Sequence, residues 1–142
     1  MNIRFSPLLA TGTRTMVPTL VLFSVFLLVT GHDVPGGGFA GGLIASAALL
    51  LVFLAFGARG LKRALPLDPE ALTGIGLAAA ILAGIVGLVF NDTFLTYTYA
   101  SAELPLIGDV KISTLLLFDV GVYILVIGLV ATAILRLGWE QP

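Results

Sequence analysis

The stretch Gly31-His32-Asp33-Val34-Pro35-Gly36-Gly37-Gly38-Phe39-Ala40-Gly41-Gly42 decides how this chain is read. It sets the sole histidine, an acid, a proline and a cluster of glycines between two long apolar runs. On its N-terminal side, 17 residues without a charge separate Arg14 from His32; on the other, residues 34–58 give 25. A helix rises about 1.5 Å per residue and the hydrocarbon core of a bilayer is roughly 30 Å thick, so about 20 residues suffice to cross it. The glycine-rich stretch therefore reads as the turn between two membrane spans.

Working outward, residues 71–91 form a third charge-free run of 21, and residues 112–135 a fourth of 24 interrupted only by Asp119. The pattern predicts an all-α integral membrane four-helix bundle, a single membrane domain over residues 1–142 with spans at about 15–31, 36–57, 71–91 and 112–135. Composition agrees. The chain is 58% hydrophobic and 11% charged, where soluble domains carry about 25% charged residues, and its mean hydropathy is +1.12. With no cysteine there is no disulfide, thiolate metal site or cysteine nucleophile. A net charge of -1 gives no sign of nucleic-acid binding. The first span is not read as a cleaved signal, because it ends at Thr30-Gly31-His32-Asp33 without a small-x-small pattern and a second apolar block follows.

Basic residues are retained on the cytoplasmic side of a membrane. Arg4, Arg14, Arg59, Lys62, Arg63 and Arg136 fall on one side of the predicted spans and Lys111 alone on the other, six against one. Both termini and the 59–69 connection are therefore expected in the cytoplasm, with the glycine turn and the 92–111 segment outside. In the 59–69 connection Pro66 and Pro69 stop helix propagation, and Asp68 and Glu70 stand near the positive end of the next helix. In the outer segment, Phe94, Tyr97 and Tyr99 supply aromatics suited to a membrane interface.

Small residues recur every fourth position. Gly37, Gly41 and Ala45 form one stripe of the second span and Gly38, Gly42 and Ser46 another; Gly76, Ala80, Gly84 and Ala79, Ala83, Gly87 repeat the habit in the third. In lipid such spacing lets helix backbones approach closely. Two stripes on a helix imply two neighbours, within the chain or in a partner.

Among polar residues, Asp119 is the most demanding. A carboxylate placed inside a span costs roughly 2.5–3.5 kcal/mol on insertion scales, so it faces protein or water rather than lipid. Two readings stay open: an ion or proton pathway, or a structural hydrogen bond to Tyr123 one turn on or to a partner helix. Lys111 is a second member of a polar track or a lysine snorkelling to the outer headgroups. His32 and Asp33 form a proton relay or weak cation site at the outer mouth, or cap the turn. One His and one Asp fall short of a metal-ligand set. Pro35 stiffens the turn, and Gly36 to Gly38 permit backbone angles that other residues avoid. No HExxH, no GxSxG and no mid-span acid pair points to an enzyme, and no cofactor is expected.

These residues carry a resemblance. The run from Gly31 to Phe39, followed by the small-residue second span, and later Thr114-Leu115-Leu116-Leu117-Phe118-Asp119-Val120-Gly121-Val122-Tyr123, resemble the two signatures of the B subunit of Mrp-type (also called Mnh) multisubunit cation/proton antiporters. The resemblance spans nearly the whole chain. It implies a small, multi-pass, non-enzymatic subunit in a bacterial or archaeal cytoplasmic membrane, working in pH homeostasis beside A-, C-, D-, E-, F- and G-type subunits. That complex exchanges Na⁺ for H⁺, and its large A and D subunits hold the principal relays. Carried over residue by residue, Pro35, Phe39 and Asp119 are the marked positions, with Gly36, Gly37, Gly38, Gly41 and Gly42 as the packing motif that brings Phe39 and the Gly41 face to a partner subunit. Asp33 stands where the family pattern more often has asparagine. The same module is similar to a subunit of membrane-bound hydrogenases related to respiratory complex I, and a purely structural subunit is the other alternative.

Overall fold

The computed structural model describes residues 6–31, 37–91, 99–104 and 108–139. They form α1 (Pro7–Thr30), α2 (Gly37–Ala64), α3 (Pro69–Asn91), β1 (Tyr99–Leu104), β2 (Gly108–Ser113) and α4 (Thr114–Trp139). Each helix contains a segment long and apolar enough to cross a membrane. The expected number of spans is present, with different limits.

α1 starts at Pro7, ahead of the expected residue 15, because proline at the first helical position brings a preset φ and lacks an N–H that would have no partner there. Ala10 N–H closes the first turn onto the Ser6 carbonyl at 3.1 Å. Several threonines along this helix return their hydroxyls to carbonyls one turn back, Thr11 to Pro7 at 2.8 Å and Thr30 to Phe26 at 2.6 Å. Pro18 lies inside the helix and provides no N–H for the Arg14 carbonyl. At the far end the two helices flanking the glycine turn touch: a Cβ on Gly31 would lie 2.6 Å from the Gly37 Cα. Only glycine at both places lets the chain reverse so tightly.

α2 runs past the expected limit at residue 57 but is broken there. Gly57 has φ 73° and ψ −170°, outside helical geometry and in a region that favours glycine. Beyond it, residues 58–64 carry Arg59, Lys62 and Arg63. α3 opens at Pro69, with Glu70 in its first turn and the Leu72 N–H donating to the Asp68 carbonyl at 3.0 Å.

The third connection holds a two-stranded antiparallel hairpin, an addition to the all-α expectation. Tyr99 pairs with Ser113, Ser101 with Lys111 and Glu103 with Asp109. Residues 112–113, expected within the fourth span, belong to β2, where Val110 and Ile112 bring β-branched side chains suited to a strand. α4 accordingly starts at Thr114 and continues to Trp139, beyond the expected residue 135.

The helices pack in the order α1, α2, α4, α3. α1 lies against α2, α2 against α4 and α4 against α3, while α1 reaches α4 only narrowly. Among the described residues α1 and α3 share no comparable interface. The expected bundle is thus an open row, because the small faces of α2 and α3 both turn toward α4 and leave nothing to close the ring. Most of its buried residues are small, with Ala45, Ala48, Ala80, Ala83 and Ala131 prominent beside Leu61 and Leu135, while many large apolar side chains such as Leu82 and Val89 point outward. That inversion of a soluble core suits a chain whose helices approach closely inside and meet lipid or other protein outside.

Candidate functional site

The second turn of α4 carries Asp119, 2% exposed and among the largest fully enclosed side chains of the described residues. α2 comes against its backbone where α2 has no side chain: a Cβ on Gly38 would collide with the Asp119 carbonyl, carbonyl carbon and Cα. One turn further along both helices, Gly41 meets the Ser24 carbonyl, with 2.7 Å to a hypothetical Cβ, and the edge of the Tyr123 ring at 3.4 Å. Next, Gly42 lies against Val126: a Cβ on Gly42 would be 2.9 Å from the Val126 Cβ. Ser46, buried in the same stripe, returns its hydroxyl to the Gly42 carbonyl at 2.7 Å. The stripe Gly38, Gly42, Ser46 is thus α2's face toward α4, and Gly41 opens the junction with α1.

At that junction Tyr123 extends from α4 to α1, where its hydroxyl and the Ser24 Oγ stand 2.9 Å apart. Ser24 is fully enclosed and gives its own proton to the Val21 carbonyl at 2.7 Å. A serine hydroxyl has one proton, so Tyr123 is the donor. Tyr123, which the sequence offered as a hydrogen-bond partner for Asp119, has its hydroxyl beside Ser24.

The remaining expected positions distribute as follows. Phe39 is 53% exposed on the surface of α2. Gly41 and Gly42, expected to bring a partner subunit close, are buried by α1 and α4 of the same chain. Gly37 is taken up by the contact with Gly31. Lys111 sits in β2, in register with Ser101 and three residues ahead of α4. His32, Asp33, Pro35 and Gly36 lie outside the described residues. Ser24 is the member that sequence reasoning missed; its only signal was a hydroxyl residue within Leu22-Phe23-Ser24-Val25-Phe26.

At the opposite end, charged residues gather. Arg136 in the last turn of α4 forms an ion pair with Glu70 in the first turn of α3. Lys62 and Asp68 line the same groove. Both side chains of the Arg136 pair are largely exposed, so the pair stabilises little. Arg14 of α1 places its guanidinium 5.9 Å from the centre of the Phe56 ring, just before the break at Gly57.

A family model described as a domain related to the MnhB subunit of Na⁺/H⁺ antiporter matches residues 8–132. The chain belongs to the MnhB family. It is 42% identical over 134 residues to the B subunit of the Na⁺/H⁺ antiporter of Alkalihalophilus pseudofirmus, covering 94% of this chain and 93% of that one. To the corresponding Na⁺/H⁺ antiporter protein of Bacillus subtilis it is 38% identical, with 94% of each chain covered. A putative antiporter subunit mnhB2 of Staphylococcus saprophyticus is 40% identical over 129 residues, 91% of this chain and 92% of the relative. Together with its four apolar helices, this membership makes the chain a multi-pass membrane protein. Both sequence signatures fall inside the matched region, and the structure brings them together: Gly38 from the first is seated on Asp119 from the second. In this MnhB-family chain the two motifs are one packing unit, separated by 81 positions but sharing a backbone contact.

Proposed function

We propose that this MnhB-family chain is the B-type membrane subunit of a multisubunit Na⁺/H⁺ antiporter, with both termini cytoplasmic. In this reading it supports assembly of the larger subunits and contributes Asp119 to a cation path at a subunit interface. The observation that carries it is the enclosed Asp119 at the glycine-thinned α2–α4 contact. An aspartate held inside a span costs roughly 2.5–3.5 kcal/mol to insert, and a site that retains one has a use for its charge. A carboxylate can hold a proton or a sodium ion in turn, which is the chemical requirement for exchange. His32, Asp33 and Lys111 are the accompanying candidates at the outer mouth, and Phe39 is the exposed residue offered to a neighbouring subunit. The cytoplasmic placement of the termini rests on the excess of basic residues at the end that carries Arg59, Lys62, Arg63 and Arg136.

The test is Asp119→Asn, which removes the charge and nearly preserves shape, assayed as Na⁺-driven proton movement in everted vesicles. The expected result is loss of exchange with normal co-purification of the other subunits. Unchanged exchange in an assembled complex sinks the ion-path role and leaves a structural subunit. A reporter that is active only outside the cytoplasm, fused after Pro142, should stay silent; activity there would reverse the orientation.

A further inference from the structure

We propose that Tyr123 and Ser24 are positioning residues for Asp119: a directional hydroxyl link across the row of helices that sets the rotation of α4 and so the place of the carboxyl group. This rests on the role proposed above for Asp119 and adds what controls it.

With the Ser24 proton donated to the Val21 carbonyl, the link runs one way. Tyr123 donates to Ser24, Ser24 donates to the Val21 carbonyl, and a backbone carbonyl has no proton to hand on. The chain of donors therefore ends inside α1. In this arrangement the pair acts as a tether between the two helices. The tether is also well placed: it joins α1 to α4, two helices that otherwise meet only narrowly. Gly41 makes room for it, since a side chain there would press on the Ser24 carbonyl at 2.7 Å and on the Tyr123 ring at 3.4 Å.

Tyr123 follows Asp119 by four residues on α4, so both lie on one face about one helical turn apart. Asp119 is set from one side by the backbone contact with Gly38 and from one turn below by the Tyr123 link. A contact with a glycine backbone resists approach but tolerates rotation. A hydrogen bond at the end of a rigid ring does not. Rotation of α4 that moves the Asp119 carboxyl therefore stretches the Tyr123 to Ser24 bond.

The experiment uses the assembled complex and two readouts. Tyr123→Phe keeps the ring and removes only the hydroxyl; Ser24→Ala removes its acceptor. Each is expected to raise the apparent KM for Na⁺ about five-fold, the scale of one neutral hydrogen bond, with turnover near that of the parent complex. The double variant should be no worse than either single one, because both remove the same bond. The second readout does not depend on transport. This chain has no cysteine, so Asp119→Cys provides a single thiol whose labelling rate, followed by the mass of this subunit, reports the position of residue 119. Adding Tyr123→Phe or Ser24→Ala should change that rate by the same factor. An unchanged rate overturns the inference whatever transport does, and so does a changed rate with unaltered KM. If Asp119→Asn retains exchange while the labelling rate still responds, the ion-path reading has failed and the tether has been shown to be structural only.

Discussion

Along α3 and α4 backbone lies on backbone, whereas α1 is held to α4 by a hydroxyl pair. In the α3–α4 contact Gly76 meets the Leu125 and Gly121 backbones, a Cβ on Gly121 would be 2.7 Å from the Ala80 nitrogen, and Gly128 lies against Thr73. At these glycines backbone, not a large side chain, lies opposite. α1 instead turns Leu22 and Phe26 outward, 72% and 57% exposed, and meets α4 at Ser24. In lipid the burial of apolar area does not drive helices together, so close approach and hydrogen bonds must do so. The two regions use one means each. α3 and α4 form a closely fitted unit, whereas α1, seated mainly on α2, has a contact with α4 that a single atom can change.

The largest effect is expected from Gly76→Leu. Its side chain would enter the α4 backbone on a face with no give, so the cost should exceed about 3 kcal/mol, the upper end of ordinary overpacking. Little folded chain should accumulate in the membrane. Normal accumulation would mean that α3 and α4 are not the rigid half. Gly41→Leu should cost less, about 1–3 kcal/mol, because part of what it meets is the edge of a ring that can swing aside. Co-purification of partners and thermal stability of the solubilised complex would measure it, and an effect as large as that of Gly76→Leu would erase the distinction. Gly74→Ala is the smallest. Nothing lies within 4 Å of a Cβ there, and stability should stay within about 0.5 kcal/mol. Two residues from Gly76 on the same helix, it separates packing from a general intolerance of substitution in α3.

Much of this was visible in the residues. Three charge-free runs and a fourth broken only by Asp119 announced four spans because the bilayer sets their length, and the insertion cost of a carboxylate marked Asp119 without any knowledge of its neighbours. The paired stripes of α2 were legible as two contacts. Which neighbour each would meet was not, because periodicity says that a face is small and nothing about what lies opposite. Gly41 and Gly42 were therefore assigned to a partner subunit, when α1 and α4 of the same chain occupy them. The row of helices escaped for the same reason. Ser24 was missed because no spacing rule links residue 24 to residue 123; the bond exists only once three helices have met. The hairpin at 99–113 gave a weak signal, a few β-branched residues within a segment judged by its aromatics.

Gly57 was one glycine among many in sequence, yet it decides how α2 fits a bilayer. Unbroken, the 28 residues of α2 would make a rod of roughly 42 Å, well beyond a hydrocarbon core of roughly 30 Å. Such a rod must tilt steeply or carry Arg59, Lys62 and Arg63 at odds with the lipid around them. The break leaves residues 37–56, about 20 residues and roughly 30 Å, on the membrane side and frees the basic segment to take its own direction. One backbone angle thereby brings the continuous apolar rod close to the thickness of a hydrocarbon core.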